Sequence, residues 1–261
     1  MRLKDLALIV LFLLDASFAF VTYQMSSRGG GRIFASVISD GFLDNSKAAA
    51  EPPRCSSPPT RPLQVVESEQ FLDLLSMSVK PTTEIVLVLV GVPGCGKSTF
   101  ARQIVSAAAD GKWCVACQDV EGDRRKVERL VVEVLEGKGK SGQYAGHPGR
   151  VIVDRCNFDA QQRKHWIDIA IRRQAAVPDV DLLKLCLVLP HSHDLEFCTA
   201  RAVSRGDDGV HAGEEDWPRI VSRMVSQYRK PDRRLEGFDA IYWCDSAQEL
   251  EVLGSALASL P

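Results

Sequence analysis

The sequence predicts an α/β fold in three layers, built on a mostly parallel five-stranded sheet. Three observations carry the prediction. From residue 63 onward, strand-like and helix-like segments alternate over about 200 residues, and parallel neighbours need such helical crossovers. The run Glu84 to Val90 is apolar at almost every position, as a strand covered on both faces must be. The composition, 45% hydrophobic and 25% charged, is that of an ordinary globular protein and excludes collagenous, low-complexity and wholly disordered classes.

The elements follow in chain order. Lys97 to Ala109 reads as the helix behind the Glu84–Val90 strand, and Trp113 to Cys117 as a short second strand. Arg124 to Leu135 is strongly amphipathic, with the helical period. Val151 to Asp154 is the third strand and Ala160 to Gln174 the helix after it. Leu182 to Leu189, again continuously apolar, is the fourth strand. Helices are expected near Asp194–Ser204 and Asp216–Tyr228, a fifth strand at Ala240 to Cys244 and a closing helix at Ala247 to Leu257. Residues 63–261 therefore form one domain, with no internal repeat.

Residues 1–62 read as a targeting segment and linker. Arg2 and Lys4 precede an apolar run, Leu6 to Leu14, that stops at Asp15. The run is too short for a membrane span of roughly 20 residues but has the layout of a secretory signal peptide. The stretch Ala16-Ser17-Phe18-Ala19-Phe20 resembles the cleavage motif of bipartite presequences in algae with secondary plastids. Val21 to Ser39 contains Arg28, Arg32 and several Ser but no acidic residue, the composition of a transit peptide. Ala48 to Pro62, rich in Pro, Ser and Ala, reads as a flexible linker. A signal anchor, an endomembrane lumenal protein and a misassigned first exon on a cytoplasmic or nuclear protein stay open. The mature protein is expected to lack a stable membrane span and to be a monomer.

Charge and cysteine usage narrow the function classes. Residues 63–261 carry 25 basic and 29 acidic side chains, without the basic surplus of a protein that grips long duplex DNA. Any nucleic-acid role must rest on a small local site. The eight cysteines are even in number, yet Cys186 and Cys244 fall in apolar strands and Cys95 and Cys156 inside motifs. They read as buried or site-lining thiols of a reducing compartment. Cys114 and Cys117 are three apart on a strand, hence on opposite faces, which argues against a redox pair.

The strongest chemical signal is Gly91-Val92-Pro93-Gly94-Cys95-Gly96-Lys97-Ser98-Thr99, a complete G-x-x-x-x-G-K-[ST] loop between a buried strand and a helix. Its glycines let backbone N–H groups converge on phosphate oxygens, and the helix adds the positive end of its dipole. Lys97 is expected to reach the β- and γ-phosphates of ATP, and the Ser98 hydroxyl to coordinate Mg2+. The fold is thus expected to be a P-loop NTPase-type sandwich. Asp154, at the tip of the next buried strand, is the acidic residue that steadies the metal. Asp159 is expected to cap the helix that follows.

No Asn-Lys-x-Asp guanine-reading motif occurs, and AAA-type motors need a second, helical subdomain for which the chain is too short after the sheet. A small kinase fits the length best. Such enzymes close arginine-bearing lids over the phosphates, and Arg201 and Arg205 lie one helical turn apart.

Taken with the phosphate loop, the segments Gln118-Asp119…Gly122…Arg124, Asp154-Arg155-Cys156-Asn157, Arg201-x-x-x-Arg205 and Glu236-Gly237-Phe238 resemble the kinase module of polynucleotide 5′-hydroxyl kinases, including the kinase-like domains fused to aprataxin-like modules. The resemblance covers roughly residues 84–245. It implies transfer of the ATP γ-phosphate to the 5′-hydroxyl end of DNA or RNA, with Asp119 as general base and Arg201 and Arg205 as lid arginines. It also implies Arg124, Arg155 and Asn157 on the substrate. The family's His-Pro pair after the second arginine is replaced by Gly206 to His211, and neither an Asp-x-Asp-x-Thr nor a His-x-His-x-His motif is present. His191-Ser192-His193-Asp194 reads as a loop in which Ser192 or Asp194 caps the next helix. Two alternatives stay open: a kinase of a small alcohol or nucleoside, and an ATP-binding module without transfer.

Overall fold

The computed structural model describes residues 8–14, 17–23, 68–108, 112–138, 149–205 and 216–261. The chain divides into two units, Met1–Arg61 and Pro62–Pro261. In the first, β1 (Leu8–Leu14) and β2 (Ser17–Tyr23) pair antiparallel, from Leu8 opposite Tyr23 to Leu14 opposite Ser17. The stretch after Tyr23 read as transit-like and the linker at 48–62 lie outside the described residues, as does the Gly206 to His211 insertion. Among the described residues no helix is long and apolar enough to cross a membrane.

The second unit holds α1 (Ser68–Ser78), β3 (Glu84–Val90), α2 (Lys97–Ala107), β4 (Cys114–Cys117), α3 (Gln118–Glu121), α4 (Arg124–Leu135), β5 (Arg150–Asp154), α5 (Ala160–Ala176), β6 (Leu182–Val188), α6 (Leu195–Val203), α7 (Trp217–Ser226), α8 (Arg233–Glu236), β7 (Ala240–Trp243) and α9 (Ala247–Ala258). The five strands are all parallel, in the order β4-β5-β3-β6-β7. The sheet is buried on both sides because its strands are apolar on both. Ile85, Leu87 and Leu89 of β3 enter the core under α1, α2 and α9, whereas Val86, Val88 and Val90 enter the core under α4 and α5. This is the expected three-layer sandwich.

Strand order decides where chemistry sits. β3 and β5 are neighbours, yet the chain leaves β3 for α2 on one face and β5 for α5 on the other. The crevice between two such diverging loops, at the carboxyl ends of the strands, is where open α/β sheets bind ligands.

Three further helices are present that the sequence pattern does not announce. α1 buries Phe71 and Leu75 at an i, i+4 spacing, while α3 and α8 are single turns too short to show a period. β4 begins at Cys114 rather than Trp113, because the Trp113 indole turns to donate to the Leu257 carbonyl of α9, 3.1 Å away. α2 ends at Ala107, where the next residue becomes extended.

Beneath the crevice lies a buried ion pair. Arg163 of α5 donates to both carboxylate oxygens of Glu236 in α8, at 2.6 and 2.7 Å, and to the Asn157 carbonyl at 2.9 Å. Neither side chain is more than 9% exposed, so loss of either partner would strand a charge at a cost of about 3–5 kcal/mol.

Candidate active site

The phosphate loop is tied at its start to two neighbouring loops. Gly91 donates its N–H to the Cys156 carbonyl in the β5–α5 loop, and Val92 donates to the Ser192 carbonyl in the β6–α6 loop, at 2.9 and 2.8 Å. Gly94 has φ +92, and a Cβ there would stand 2.2 Å from the Cys198 carbonyl oxygen of α6. Only glycine lets the loop lie this close to α6. Val92 and Cys95 turn into the core, so the loop offers backbone rather than these side chains to a ligand.

Several features fit the loop to a polyphosphate. α2 starts directly at Lys97 with no side chain capping its first N–H groups. Elsewhere Asp123, Asp159, Asp194, Asp216, Asp232 and Ser246 cap α4, α5, α6, α7, α8 and α9. The uncapped donors and the dipole of α2 are left for an anion. Lys97, only 7% exposed, donates to the Val92 carbonyl at 3.0 Å and lies 3.6 Å from the Cys95 sulfur. Burial opposes its charge, but Cys95, Cys156 and Asp154 outweigh it and hold the ammonium's pKa above the ordinary lysine value.

Asp154, at the tip of β5, is 5% exposed. In the parallel register Cys117 stands opposite it, so the segments leaving β4 and β5 emerge side by side. That register brings Asp119, in the first turn of α3, to the same cavity as the loop. Burial, helped by the Asp154 charge, pushes the Cys117 thiol up to about 11. Capping of α4 belongs to Asp123, whose carboxylate accepts from the Lys126 N–H at 3.0 Å.

A cavity of about 410 Å³ opens here. It is lined by Gly94, Gly96, Lys97 and Ser98 of the loop and by Asp119, Asp154 and Arg155. Phe158, Trp217, Ile220 and Met224 add apolar side chains to the lining, the first two mostly buried in the core, and Arg205 and Arg223 complete it. The oxygen donors Ser98 and Asp154 suit Mg2+, which takes one or two protein ligands and completes its shell with water and phosphate. On the other side of the loop a second cavity, about 450 Å³, is bordered by Gly96, Thr99, Gln103, Phe197, Arg201 and Leu250, among others. The Arg201 guanidinium lies 5.4 Å from the Phe197 ring, on which His191 also stacks. The two arginines expected on one face therefore border different cavities, on either side of the loop.

Two expected substrate contacts, Asn157 and Arg124, lie outside the cavity lining. Asn157 is fully buried. Its amide donates to the Leu89 and Arg155 carbonyls at 2.8 and 3.1 Å and accepts from the Trp166 indole at 2.8 Å. With φ +47 it shapes the turn that presents Arg155, and its side chain is committed to the protein. Arg124 stands outside the cavity lining, held by Glu128 at 3.1 Å and His165 at 2.9 Å. Arg155 does line the cavity. It lies 5.6 Å from the Trp166 ring, and its Nη1 is buried with no hydrogen-bond partner. Burial, with the Arg124 charge adding to it, lowers its pKa from the ordinary arginine value.

The remaining expectations resolve simply. Asp159 caps α5 through the Gln162 N–H at 2.8 Å, and Asp194 caps α6 through the Phe197 N–H at 3.0 Å. His191 and His193 stack on different rings, Phe197 and Tyr228. The seven described cysteines are free, five of them buried. Sequence reasoning missed the α7 part of the lining. The i, i+3, i+7 spacing of Trp217, Ile220 and Met224 marks an apolar face, but nothing local says that it faces a cavity.

Comparison with known proteins adds three findings. Residues 86–227, from β3 through the loop, Asp119, Asp154, Arg201 and Arg205 to the end of α7, match the model of a family described as an AAA domain. Transcription factor bHLH140 of Arabidopsis thaliana is 28% identical over 182 residues, which is 67% of this chain. The chain spans only 17% of that relative's length. A solved fungal RNA kinase superposes with a TM-score of 0.50 at 17% identity, over 67% of this chain and 85% of that one. At that identity the likeness is one of fold.

Proposed function

The chain belongs to this AAA-domain family and has a P-loop kinase-like fold, and from that premise we propose that it transfers the γ-phosphate of ATP to the 5′-hydroxyl end of a polynucleotide. The observation that carries the reading is the shared cavity. Asp119 borders the same space as Lys97, Ser98 and Asp154, with room left beyond the phosphate site for a second substrate. A module that only bound ATP would need neither the carboxylate nor the room. The resemblance of the Asp154–Asn157 and Gln118–Arg124 segments to polynucleotide kinases, and the RNA kinase fold, support a nucleic-acid acceptor.

The chemistry follows from the residues. The phosphates of ATP lie along the loop N–H groups and the start of α2, and Lys97 exchanges the Val92 carbonyl for a phosphate oxygen. A Mg2+ ion held by Ser98 and Asp154 would neutralise charge on those phosphates. Asp119 accepts the proton of the acceptor hydroxyl as its oxygen bonds to the γ-phosphorus and the bond to the β–γ bridging oxygen breaks, leaving ADP. Arg205 adds positive charge where negative charge gathers on the transferring group.

The test is transfer from γ-labelled ATP, offered 5′-hydroxyl oligonucleotides alongside small alcohols and nucleosides. Label on oligonucleotide ends supports the proposal. Label on small alcohols alone turns it into a metabolite kinase, and ATP binding without transfer reduces it to a nucleotide-binding module.

A further inference from the structure

The Glu236-Gly237-Phe238 segment stands out in the sequence, yet nothing in the proposed chemistry uses it. Glu236 accepts from Nε and Nη2 of Arg163 at 2.6 and 2.7 Å, and its Oε1 also accepts from the Asp232 N–H at 3.0 Å. Phe238 is buried in the same core as Trp166 and Ile167 of α5. A staple between α5 and α8 would need no more than this. Arg163, whose side chain is fully buried, makes a further bond: its Nη1 donates to the Asn157 carbonyl at 2.9 Å. The rigid fork of the guanidinium therefore fixes that carbonyl relative to Glu236, as a lysine ammonium could not. Asn157 in turn belongs to a strap between two strand tips. Its amide donates to the Leu89 carbonyl of β3 at 2.8 Å, and the Cys156 carbonyl beside it accepts from Gly91, where the phosphate loop begins, at 2.9 Å. The strap holds an asparagine at φ +47, a conformation that a non-glycine residue keeps only where its surroundings fix it.

We propose that Glu236 and Arg163 are positioning residues: by bracing the Asn157 strap from beneath, they set the spacing between Ser98 and Asp154. Ser98 follows the loop that leaves β3, and Asp154 ends β5, so both can serve one Mg2+ only while the two strand tips keep a fixed separation. β3 and β5 pair as far as Val88 and Val153, one residue short of Asp154. Beyond that point the bonds from Asn157 to Leu89 and from Gly91 to Cys156 join the tips. Neither Glu236 nor Arg163 lines the cavity, so they act on its geometry and not on a ligand. The inference rests on the kinase reading and adds to it a pair of residues, outside the cavity, on which its metal site depends.

Removing one partner alone strands a buried charge and can unfold the protein, so the experiment uses two other variants of the full chain. Arg163→Met combined with Glu236→Leu removes both charges and fills their space with apolar atoms, an exchange that buried pairs commonly tolerate. Arg163→Lys keeps a cation for Glu236, and with it the fold, but lacks the fork that reaches Asn157 at the same time. Urea unfolding first compares each variant with the parent. Calorimetry then titrates Mg2+ into each protein carrying one equivalent of a non-hydrolysable ATP analogue, and labelled ATP measures transfer. In variants that unfold with the parent's midpoint, Mg2+ affinity and kcat should each fall by about 10- to 100-fold, the usual worth of a group that orients a metal ligand. Metal-free binding of the analogue should stay within about threefold, because the loop N–H groups and the start of α2 are untouched. Should the double variant unfold, Arg163→Lys decides alone. Parent-like Mg2+ affinity and kcat in a folded variant would reduce the pair to a staple of α5 on α8 and overturn the proposal. A parent that transfers no phosphate overturns the kinase reading instead, while the Mg2+ titration, which needs no transfer, still judges the spacing.

Discussion

Residues whose roles depend on exposure divide here into those that face substrate and those that hold them in place. Asp119 is exposed on the cavity, and capping of α4 belongs to Asp123, so a purely structural role for Asp119 loses its main support. Asp119→Asn should fold and bind ATP as the parent does, yet turn over about 10²- to 10⁴-fold more slowly, the usual worth of a general base. Calorimetric ATP titration beside single-turnover transfer checks both halves; turnover within threefold would hand the acidic role to Asp154. Asn157 is the reverse case. Asn157→Ala removes the acceptor of the Trp166 indole and the donor to two buried carbonyls, and places alanine at φ +47. A loss of about 2–4 kcal/mol in urea unfolding is expected, with acceptor KM nearly unchanged in the folded enzyme. Normal stability with a raised KM would return Asn157 to the substrate. The sequence carried both residues in motifs of equal weight. Burial separates them, and burial depends on what α5 and β3 do around them.

At the scale of elements, the strands and long helices were legible because each carries its own period or apolar run, and the phosphate loop because its glycines are spaced for one backbone shape. The parallel register of β4 and β5, which brings Asp119 beside Asp154, followed from the expected fold class once both were placed at strand ends. The apolar side of the cavity was not legible: Phe158 and Trp217 border one space only through packing of α7 near the β5–α5 loop, and no local pattern encodes that. The seam between the loop and α6 was equally hidden, and it can be tested. Gly94 and Gly96 both have positive φ, at +92 and +107, but a Cβ on Gly96 meets nothing nearer than the Arg201 guanidinium at 3.9 Å, whereas one on Gly94 collides with α6 backbone. Gly96→Ala should therefore cost only the backbone strain, about 1–2 kcal/mol. Gly94→Ala should cost about 1–3 kcal/mol more, because the loop must move off α6. Urea unfolding of the two variants measures the gap; equal losses would mean that the loop does not rest on that helix.

The whole molecule combines a targeting proposal with an electrostatic constraint. Residues 1–62, fused to a fluorescent reporter in a host with secondary plastids, should carry it into the plastid. Phe20→Ala should stall it in the endomembrane system, and a diffuse cytosolic signal from the parent fusion would reject the assignment. The electrostatic prediction concerns the kinase unit itself. With 25 basic and 29 acidic side chains beyond residue 62, its long-range field does not attract a polyanion. Several exposed cations are already engaged: Arg124 with Glu128, Arg219 with Asp216, and Lys230 over the Trp243 ring. On the kinase reading, Arg155 and Arg223, which line the cavity and have no ion-pair partner among the described residues, each meet one phosphate of the strand, and two such contacts release few counterions. The logarithm of acceptor affinity should then fall against the logarithm of salt with a slope of about −1.4. Lengthening the oligonucleotide from 3 to 20 residues, in the order of magnitude set by so local a contact, should improve KM by less than about threefold. A protein that tracked the strand along its surface would behave otherwise, with a slope near −4 corresponding to about six phosphates and an affinity that climbs with length. Measuring KM for both lengths between low and physiological salt decides between them. A steep slope would show that cations outside this cavity, Arg125 and Lys126 at the start of α4 among them, take hold of the strand as well.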